Sequence, residues 1–337
     1  MNPLGQPRHY PLTVVVTYNS MEQLPSVCEA LLQWLELTPD GRVVFIENSQ
    51  SVATVDFVTN ALEKFSPQSI AVLNPFNSGF APAVNRAVEM ARNEWGFPGS
   101  VLLLNPDVVT DGETIGSVLD RLDDHVGIVV PKLLDCGGAI DRGVARREWN
   151  KRRLLAEVIG RPNLARFLGT RNRQMELNTE EVEVDIASGA FMAISASVFS
   201  DGLDTRLPMY LEDQEICHRA HRAGKAVLVL TNLRATHLGG LSRKSNVAAK
   251  KRLRMLELAE APVISMMDST GDSLGWARSI IFLGGLFRAI GASALFTWSL
   301  VRRNQDTQWF QDQLVLAGWF MGWALTYQPT RSHRIET

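Results

Sequence analysis

The amino-acid sequence predicts a doubly wound α/β domain with a mostly parallel sheet, followed by a helical C-terminal appendage. In the first half of the chain, short apolar runs rich in β-branched residues alternate with segments of helical character. Each of those runs ends in small polar or acidic residues. From Trp276 onwards the composition changes to long apolar stretches that carry several tryptophans. A chain of 337 residues is long enough to bury a sizeable core.

The candidate strands are recognised because buried parallel strands are short and continuously apolar. They cover residues 12–17, 43–46, 70–73 and 101–104. Segments with helical spacing lie between them, at residues 21–36, 52–65 and 81–93. In open α/β sheets the binding crevice lies beyond the carboxyl ends of the strands. We therefore expect the functional residues along one edge of the sheet.

The second half of the chain is less regular. Residues 142–183 contain many arginines and little regular apolar spacing, and we expect them to form a mobile insertion over the site. Further strands are predicted at residues 182–187, 191–194 and 226–230. A helix within residues 207–224 would bury one face and expose a charged one. The buried residues would be Ile216, Ala220 and Ala223, and the exposed ones Glu215, Arg219 and Arg222.

Charge and cysteine content limit the classes of function. The formal net charge is −2, which excludes a globally basic nucleic-acid-binding protein, although basic residues cluster at 142–173 and 243–254. Cys28, Cys136 and Cys217 are widely separated, which suggests neither a disulfide framework nor a structural zinc site. The N-terminal apolar run lacks the features of a signal peptide. We therefore expect a cytoplasmic protein.

The C-terminal apolar stretches predict contact with a membrane or with another subunit. Arg288 interrupts the first stretch and several glycines the second, so neither matches a spanning helix of about 20 residues. An interfacial position suits the tryptophans Trp276, Trp298, Trp309, Trp319 and Trp323, with the basic residues 243–254 near anionic headgroups. The alternative is a helical subdomain packed on the core or in a homo-oligomer. We expect a catalytic domain at 1–245 and a helical membrane-association or oligomerisation region at 246–337.

Three groups of residues suggest chemistry. Glu212 and Asp213 precede a helix, where one could act as a general base or both could simply complement the helix dipole. Asp107 follows a buried strand in an Asn-Pro-Asp turn and, with the later His237, could bind Mg²⁺ or Mn²⁺. Gly79 stands in a small-residue loop at a helix start, which favours a negatively charged ligand. The chain lacks a dinucleotide fingerprint and a P-loop, which disfavours redox and ATPase functions.

These segments, taken in order, resemble the family 2 inverting glycosyltransferases, most closely the rhamnosyltransferase-like branch. The resemblance covers roughly residues 12–242. It is carried by seven blocks: Val15-Val16-Thr17-Tyr18-Asn19, Glu47-Asn48-Ser49, Asn77-Ser78-Gly79-Phe80, Leu104-Asn105-Pro106-Asp107, Ser188-Gly189-Ala190, Leu211-Glu212-Asp213 and His237-Leu238-Gly239-Gly240. It implies a GT-A-like fold and a nucleotide-sugar donor linked to dTDP or UDP.

The resemblance also implies a role for each matching residue. The donor would be held by Thr17, Tyr18, Asn19, Glu47, Asn48, Ser49, Gly79, Asn85 and Asn105. Ser188, Gly189 and Ala190 would line the acceptor side, Asp213 would be the base beside Glu212, and Asp107 and His237 would bind the metal. Two departures from the family pattern concern Glu47, where many relatives carry Asp, and Asn105, which replaces the first acid of the Asp-x-Asp metal motif.

The predicted function is transfer of a sugar, L-rhamnose from dTDP-rhamnose, to a lipid-linked glycan precursor in cell-envelope polysaccharide synthesis. The acceptor would be a polyprenyl-diphosphate-linked glycan, and the protein would be peripheral on the inner face of the cell membrane. A UDP-sugar-dependent galactofuranosyl- or hexosyltransferase is the alternative within the enzyme class. A non-catalytic nucleotide-sugar-binding protein is the alternative outside it, although a binder has no use for a base. A nucleotidyltransferase is disfavoured because no Gly-rich triphosphate loop follows the first strand.

Overall fold

The computed structural model describes residues 9–141, 143–148, 151–159, 175–206, 212–239, 274–301 and 308–326. Contacts divide the chain into two units. The first comprises Met1–Arg147 and Gln174–Ser245 and contains the sheet. The second comprises Glu148–Arg173 and Asn246–Thr337, and its described part is helical. Residues 148–159 of the predicted mobile insertion thus cluster with the C-terminal helices, which corrects that prediction, and residues 160–174 lie outside the described residues.

Parallel strands form the first half of the sheet. They are β1 (Pro11–Thr17), β2 (Arg42–Glu47), β3 (Ser69–Leu73) and β4 (Ser100–Leu104), in the order β3-β2-β1-β4. The helices α1 (Leu24–Leu37), α2 (Val52–Ala61) and α3 (Phe80–Trp95) connect them. The strands and helices predicted in this half are confirmed. The predicted helix at residues 52–65 is shorter in the structure: α2 ends at Ala61, and a 3₁₀ segment that contains Pro67 follows at Glu63–Gln68.

The sheet continues through strands that run in both directions. Strand β10 (Phe191–Ser195) lies antiparallel between β4 and β6 (Val126–Leu134), and β11 (Ala226–His237) pairs with β6 in parallel. The short strands β5 (Val108–Val109) and β8 (Glu181–Glu183) pair with β11 and complete a nine-stranded sheet. The longer ladders are parallel, so the predicted mostly parallel α/β fold is confirmed. Strand β6 and the preceding helix α4 (Gly112–Asp120) were not predicted.

Two short strands pair outside the main sheet. They are β7 (Ala145–Arg146) and β9 (Ile186–Ala187), which run antiparallel. The strand predicted at residues 182–187 is therefore two strands, β8 and β9, with different partners. Helix α6 (Ala196–Phe199) follows β10.

Helix α7 (Glu212–Arg222) precedes β11 and confirms the helix predicted within residues 207–224. Ile216 and Ala220 are buried, as the helical spacing predicts. Ala223 lies beyond the helix end and is exposed, so the prediction that it is buried is wrong. Glu215 was predicted to face water but is only 6% exposed, and Arg219 one turn along the helix pairs with it at 2.6 Å. That cation supplies the partner that a buried carboxylate requires.

The second unit contains the helices α5 (Lys151–Ile159), α8 (Leu274–Val301) and α9 (Gln308–Thr326). Their buried side chains form a separate apolar cluster of Leu154, Val158, Ala277, Ile281, Leu316, Phe320, Trp323 and Ala324. Gly284 allows close packing in this cluster, since a Cβ there would lie 2.6 Å from Cγ1 of Val158. The helical character predicted for this region is present in α8 and α9.

Helix α8 runs without a break through Arg288, so the prediction that the first apolar stretch does not match a spanning helix is wrong in terms of length and composition. Nε of Arg288 donates to the carbonyl of Val158 at 2.6 Å, and Nη1 donates to Oε1 of Gln313 at 2.6 Å. The guanidinium also lies 5.5 Å from the ring centroid of Phe320. These partners allow the charge to be only 7% exposed inside an apolar helical cluster.

Among the described helices, α8 is the one long and apolar enough to cross a bilayer by length and composition. Its segment Leu274–Thr297 has a mean hydropathy of 1.8, and 28% of the 18-residue window is buried. The core helix of a soluble protein can have a similar length and composition, but such a helix is mostly buried. The exposed apolar side chains of α8 are Leu283, Leu286, Phe287, Ile290 and Leu295.

Candidate active site

Glu47 joins the carboxyl ends of β1 and β2. Its Oε2 accepts a hydrogen bond from Oγ1 of Thr17 at 2.5 Å, and its Oε1 accepts from both the amide (2.5 Å) and the hydroxyl of Ser49. The side chain is only 2% exposed. Both carboxylate oxygens of Glu47 thus contact neighbouring side chains, and its role in holding the nucleoside stays a prediction. Glutamate is one methylene longer than the aspartate of many relatives, and here it reaches the hydroxyls at both strand ends.

The side chain of Tyr18, next to the residues that contact Glu47, is exposed at this edge of the sheet. Tyr18 is 46% exposed at the end of β1. Asn19 adopts φ 52°, and its amide donates to Oγ of Ser49 at 3.1 Å. Of the residues predicted to hold the donor on these two strands, Thr17 and Ser49 thus act on Glu47, whereas Tyr18 faces outwards. An exposed aromatic ring can stack on a nucleobase.

A chain of side-chain amides connects β2, β3 and the start of α3. Nδ2 of Asn48 donates to the carbonyl of Gly79 at 3.1 Å, and its Oδ1 accepts from Nδ2 of Asn74 at 2.6 Å. Asn74 also donates to Oγ of Ser78 at 2.9 Å and accepts from Arg86. Gly79 has φ +89°, which a glycine adopts without strain. The sequence analysis identified Asn48 and Gly79 but not Asn74 and Arg86, which hold them in place.

Asn85 braces a distant turn. Its Nδ2 donates to the carbonyl of Leu203 at 2.8 Å, and its Oδ1 accepts from the Leu203 amide at 2.7 Å. Gly202 packs against it, because a Cβ there would lie 2.6 Å from Oδ1. Both polar groups of Asn85 are therefore used by the backbone. Asn85 holds this turn against α3, and its part in shaping the donor pocket stays a prediction.

His237 lies between two carboxylates at the end of β11. Its Nε2 is 3.5 Å from Oδ1 of Asp107, and its Nδ1 is 2.9 Å from Oδ2 of Asp141. Hydrogen bonds to Asp107 and then Asp141 raise the pKa of His237 to about 9. The bond to His237 lowers the pKa of Asp141. The structure thus brings together the predicted metal residues and adds an acid that the sequence analysis missed.

This arrangement fits a divalent cation. Oδ1 of Asp107 and Nε2 of His237 lie 3.5 Å apart, and Asp141 on Nδ1 fixes the ring so that Nε2 faces Asp107. No cluster of three or more His, Cys, Asp or Glu ligands occurs among the described residues. The protein would thus supply two ligands at this turn, and the others would come from the donor phosphates and water. Asn105 contributes its backbone here, since its amide donates to the carbonyl of Ala190 at 2.8 Å.

Asp213 lies in the first turn of α7 and contacts the loop at residues 188–190. Its Oδ2 accepts from Nη2 of Arg146 at 2.5 Å and from the amide of Gly189 at 3.4 Å, and its Oδ1 accepts from the amide of Gln214 at 2.8 Å. A Cβ at Gly189 would lie 3.1 Å from Cβ of Asp213, so this residue must be small. Arg146 was not predicted as a site residue, although it lies in the basic region at 142–173.

Glu212 is buried beside Asp213. Burial, followed by the negative charge of Asp213, raises the pKa of Glu212 to about 8. Its Oε2 has no hydrogen-bond partner within the described part of the chain. The raised pKa favours the protonated form of the Glu212 side chain.

The predicted acceptor loop and an unpredicted segment connect the two centres. The loop at residues 188–190 bonds to Asn105 through Ala190 and to Asp213 through Gly189. On the other side, Oδ1 of Asp141 accepts from the amide of Gly143 at 2.6 Å, and the carbonyl of Gly143 accepts from Nε of Arg146 at 3.1 Å. A chain of hydrogen bonds therefore runs from His237 through Asp141, Gly143 and Arg146 to Asp213.

A family model for glycosyltransferase-like family 2 matches residues 7–256. The chain belongs to this family. The match spans the predicted site residues from Thr17 to His237, and it supports a glycosyltransferase as the enzyme class. A search of curated protein sequences finds no match.

Solved structures show the same fold for this family 2 glycosyltransferase. Staphylococcus aureus TarS 1-349 superposes with a TM-score of 0.52 at 14% identity, covering 94% of this chain and 81% of that one. The same protein in complex with UDP gives 0.51 at 15% identity, with the same coverage. GalNAc-T7 with UDP, GalNAc and Mn²⁺ gives 0.50 at 15% identity and covers 74% of this chain. The chain spans about half of GalNAc-T7, 48% of its length. The fold is that of the GT-A glycosyltransferases.

Proposed function

We propose that this protein is an inverting glycosyltransferase that transfers L-rhamnose from dTDP-rhamnose to a hydroxyl of a lipid-linked glycan precursor in cell-envelope polysaccharide synthesis. The observation that carries the proposal is the chain of hydrogen bonds that joins His237, beside Asp107, to Asp213. Transfer needs a base for the acceptor and positive charge for the leaving diphosphate, and this chain supports the assignment of Asp213 to the first role and of a cation at Asp107 and His237 to the second. The rhamnose donor rests on the resemblance to the rhamnosyltransferase-like branch.

Asp213 is the proposed base. A sugar hydroxyl is a poor nucleophile at neutral pH, so a carboxylate within hydrogen-bond reach would take its proton as it attacks the anomeric carbon. Glu212 is buried and its pKa is raised, whereas Asp213 is 16% exposed, so Asp213 is assigned as the acceptor of that proton. The bond from the anomeric carbon to the diphosphate breaks as the new glycosidic bond forms. This single displacement inverts the anomeric centre.

The donor would bind between Tyr18 and the start of α3. The exposed ring of Tyr18 can stack on the nucleobase of the donor, and the backbone amides at the helix start after Gly79 favour its phosphates. Asp107 and His237 would hold Mg²⁺ or Mn²⁺, which neutralises charge on the departing diphosphate when bound. The Mn²⁺ in the GalNAc-T7 structure supports this assignment.

A UDP-sugar-dependent galactofuranosyl- or hexosyltransferase is a second candidate. The structures of TarS and GalNAc-T7 with UDP favour it. In both candidates the acceptor side would be lined by Ser188, Gly189 and Ala190, which contact Asp213 through the amide of Gly189.

The acceptor is proposed to be linked to a polyprenyl diphosphate, with the protein peripheral on the inner face of the cell membrane. Support comes from α8, where Leu283, Leu286, Phe287 and Ile290 recur at helical spacing and are all exposed. A continuous exposed apolar stripe of this kind is typical of a membrane or protein contact. A homo-oligomer that covers the same stripe is the competing arrangement.

The experiment is a donor screen with purified protein. dTDP-rhamnose, UDP-galactofuranose and UDP-hexoses are tested for hydrolysis and for thermal stabilisation, each with Mn²⁺, Mg²⁺ or EDTA. We expect dTDP-rhamnose to be hydrolysed and Asp213→Asn to lower turnover by about 10²–10⁴ while donor stabilisation persists. Hydrolysis of a UDP-sugar alone would select the second candidate. Donor stabilisation without turnover by the wild-type protein would indicate a non-catalytic binder.

A further inference from the structure

Strand β7 presents Arg146 to Asp213. Its Nη2 lies 2.5 Å from Oδ2 of Asp213 and also donates to the carbonyl of Ala187 at 3.3 Å, and Nε donates to the carbonyl of Gly143 at 3.1 Å. The β7–β9 ladder fixes the backbone at this point, with Arg146 opposite Ile186. The guanidinium is therefore held at three places before any acceptor binds.

Both members of the pair are largely shielded from water. The side chains of Arg146 and Asp213 are 15% and 16% exposed. A charge pair in such a place is screened weakly, so its effect on each partner is larger than at a free surface. This contrasts with the pair of Arg121 and Glu181, whose side chains are 33% and 45% exposed.

The charged and titratable neighbours of Asp213 act in opposite directions. On its own helix α7, Glu212 lies beside it, and the thiol of Cys217 lies one turn along with a pKa raised to about 12, so it stays neutral. The amide of Gly189, in the loop after β9, and the guanidinium of Arg146, in β7, both donate hydrogen bonds to Oδ2 of Asp213. Burial and a neighbouring carboxyl favour a protonated aspartate, whereas an opposite charge favours the ionised form.

We propose that Arg146 is a positioning residue for sugar transfer, which holds the Asp213 carboxylate in one orientation and keeps a positive charge beside it while the carboxylate takes the proton of the acceptor hydroxyl. This inference rests on the proposed function of Asp213 as the base. The same arginine is bonded to Gly143, whose amide bonds to Asp141 behind His237. Arg146 thus also sets the spacing between the base and the cation-binding pair.

The test compares Arg146→Met and Arg146→Lys with wild type, and Arg121→Met serves as a matched control that breaks an exposed arginine–carboxylate pair. The measurement is kcat/KM for transfer from about pH 5 to about pH 10, with circular dichroism to confirm folding. In Arg146→Met we expect the acidic limb to move up by about 1–3 pH units. Arg146→Lys should keep the limb near its wild-type position but lower the rate, because lysine lacks the planar fork. Arg121→Met should match wild type.

A second measurement, which does not depend on turnover, follows the ¹³C resonance of the Asp213 carboxyl group by NMR. This resonance is assigned because it is absent from the spectrum of Asp213→Asn. Its titration midpoint should rise in Arg146→Met by the same amount as the kinetic limb. If Arg146→Met does not fold, Arg146→Gln, which removes the charge but keeps an amide donor, replaces it. The glutamine variant should show the same shift.

The outcomes separate this inference from the proposed function. A uniform loss of rate in Arg146→Met, with acidic limb and ¹³C midpoint unchanged, would overturn the role of Arg146 and leave Asp213 as the base. Full turnover by Asp213→Asn would overturn the proposed base and this inference together. A shifted midpoint with an inactive Asp213→Asn supports both.

Discussion

Oδ2 of Asp141 lies 2.9 Å from Nδ1 of His237, on the side of the ring opposite Asp107. An imidazole between two carboxylates is stabilised as the imidazolium, which is why its pKa rises to about 9. A divalent cation would bind the neutral ring and would therefore compete with this proton. If Asp107 and His237 hold a metal as proposed, His237 would exist in two states, one protonated between the two acids and one bound to the metal.

We predict that the imidazolium stabilises the metal-free fold in a defined pH window. Because the folded pKa is raised from 6.5 to about 9, the stabilisation is complete below about pH 6.5 and is lost as pH rises through about 9. Its size is at most about 3 kcal/mol. Thermal melts in EDTA should show His237→Gln less stable than wild type near pH 6, with the difference closing near pH 10. A constant difference across this range would contradict the pairing.

Metal binding provides the second prediction. Asp107→Ala should remove most Mn²⁺ binding and metal-dependent donor binding, because Asp107 is the one carboxylate on that turn. His237→Ala should have a milder effect, since the donor phosphates supply further oxygens. Mn²⁺ binding is followed by electron paramagnetic resonance with and without nucleotide diphosphate. Full activity after exhaustive chelation would instead mean that His237, as the imidazolium, and nearby amides stabilise the diphosphate.

Glu212 provides a prediction for stability at alkaline pH. Its folded pKa is raised from 4.5 to about 8, so the protonated form is favoured in the fold and stability falls as pH rises from about 4.5 through about 8. Glu212→Gln keeps the shape and cannot ionise. It should be more stable than wild type above about pH 8, by on the order of a few kcal/mol, with the gain shrinking at lower pH. Chemical denaturation at about pH 6 and about pH 9 measures this, and an equal effect at both pH values would refute it.

The sequence allowed much of the fold and the site to be predicted, because both depend on local patterns. The strands at residues 12–17 and 101–104 are continuous apolar runs, and polar residues end them. Strand β6 was missed although it lies between β10 and β11, because Pro131 and Lys132 interrupt its apolar pattern. A proline inside a central strand argues against that assignment, and the pairing with β10 and β11 reveals the strand.

The residues that were misjudged depend on distant partners. Arg146 and Asp141 act through Asp213 and His237, which are 67 and 96 positions away, and sequence spacing carries no sign of such contacts. Glu215 and Arg288 are charged residues that are buried because Arg219 and the carbonyl of Val158 satisfy them. Helical periodicity predicts that charged side chains face water. Charged side chains that are buried instead depend on tertiary hydrogen bonds, which the sequence pattern does not show.

The last prediction concerns the exposed stripe of α8. Phe287 is 58% exposed and Leu286 is 40% exposed, so neither is needed for the apolar cluster formed with α5 and α9. Phe287→Asp should weaken binding to anionic vesicles, because it removes an apolar side chain worth about 1.5–3 kcal/mol on burial and adds a charge repelled by the lipid. Lys64→Asp, which changes an exposed residue paired with Glu36 in the first unit, is the control for charge alone.

Co-sedimentation with anionic vesicles across a salt series measures this effect, and circular dichroism confirms that each variant is folded. Wild type and Lys64→Asp should bind alike, and salt should weaken both without abolishing binding, because apolar burial persists when charges are screened. Truncation after Lys251 should release the protein altogether. If the wild-type protein instead stays in the supernatant at low salt as a stable oligomer, and the Phe287→Asp variant is monomeric, the stripe is a subunit interface. In that case the oligomer covers the stripe, and the lipid-linked acceptor loses its main structural support.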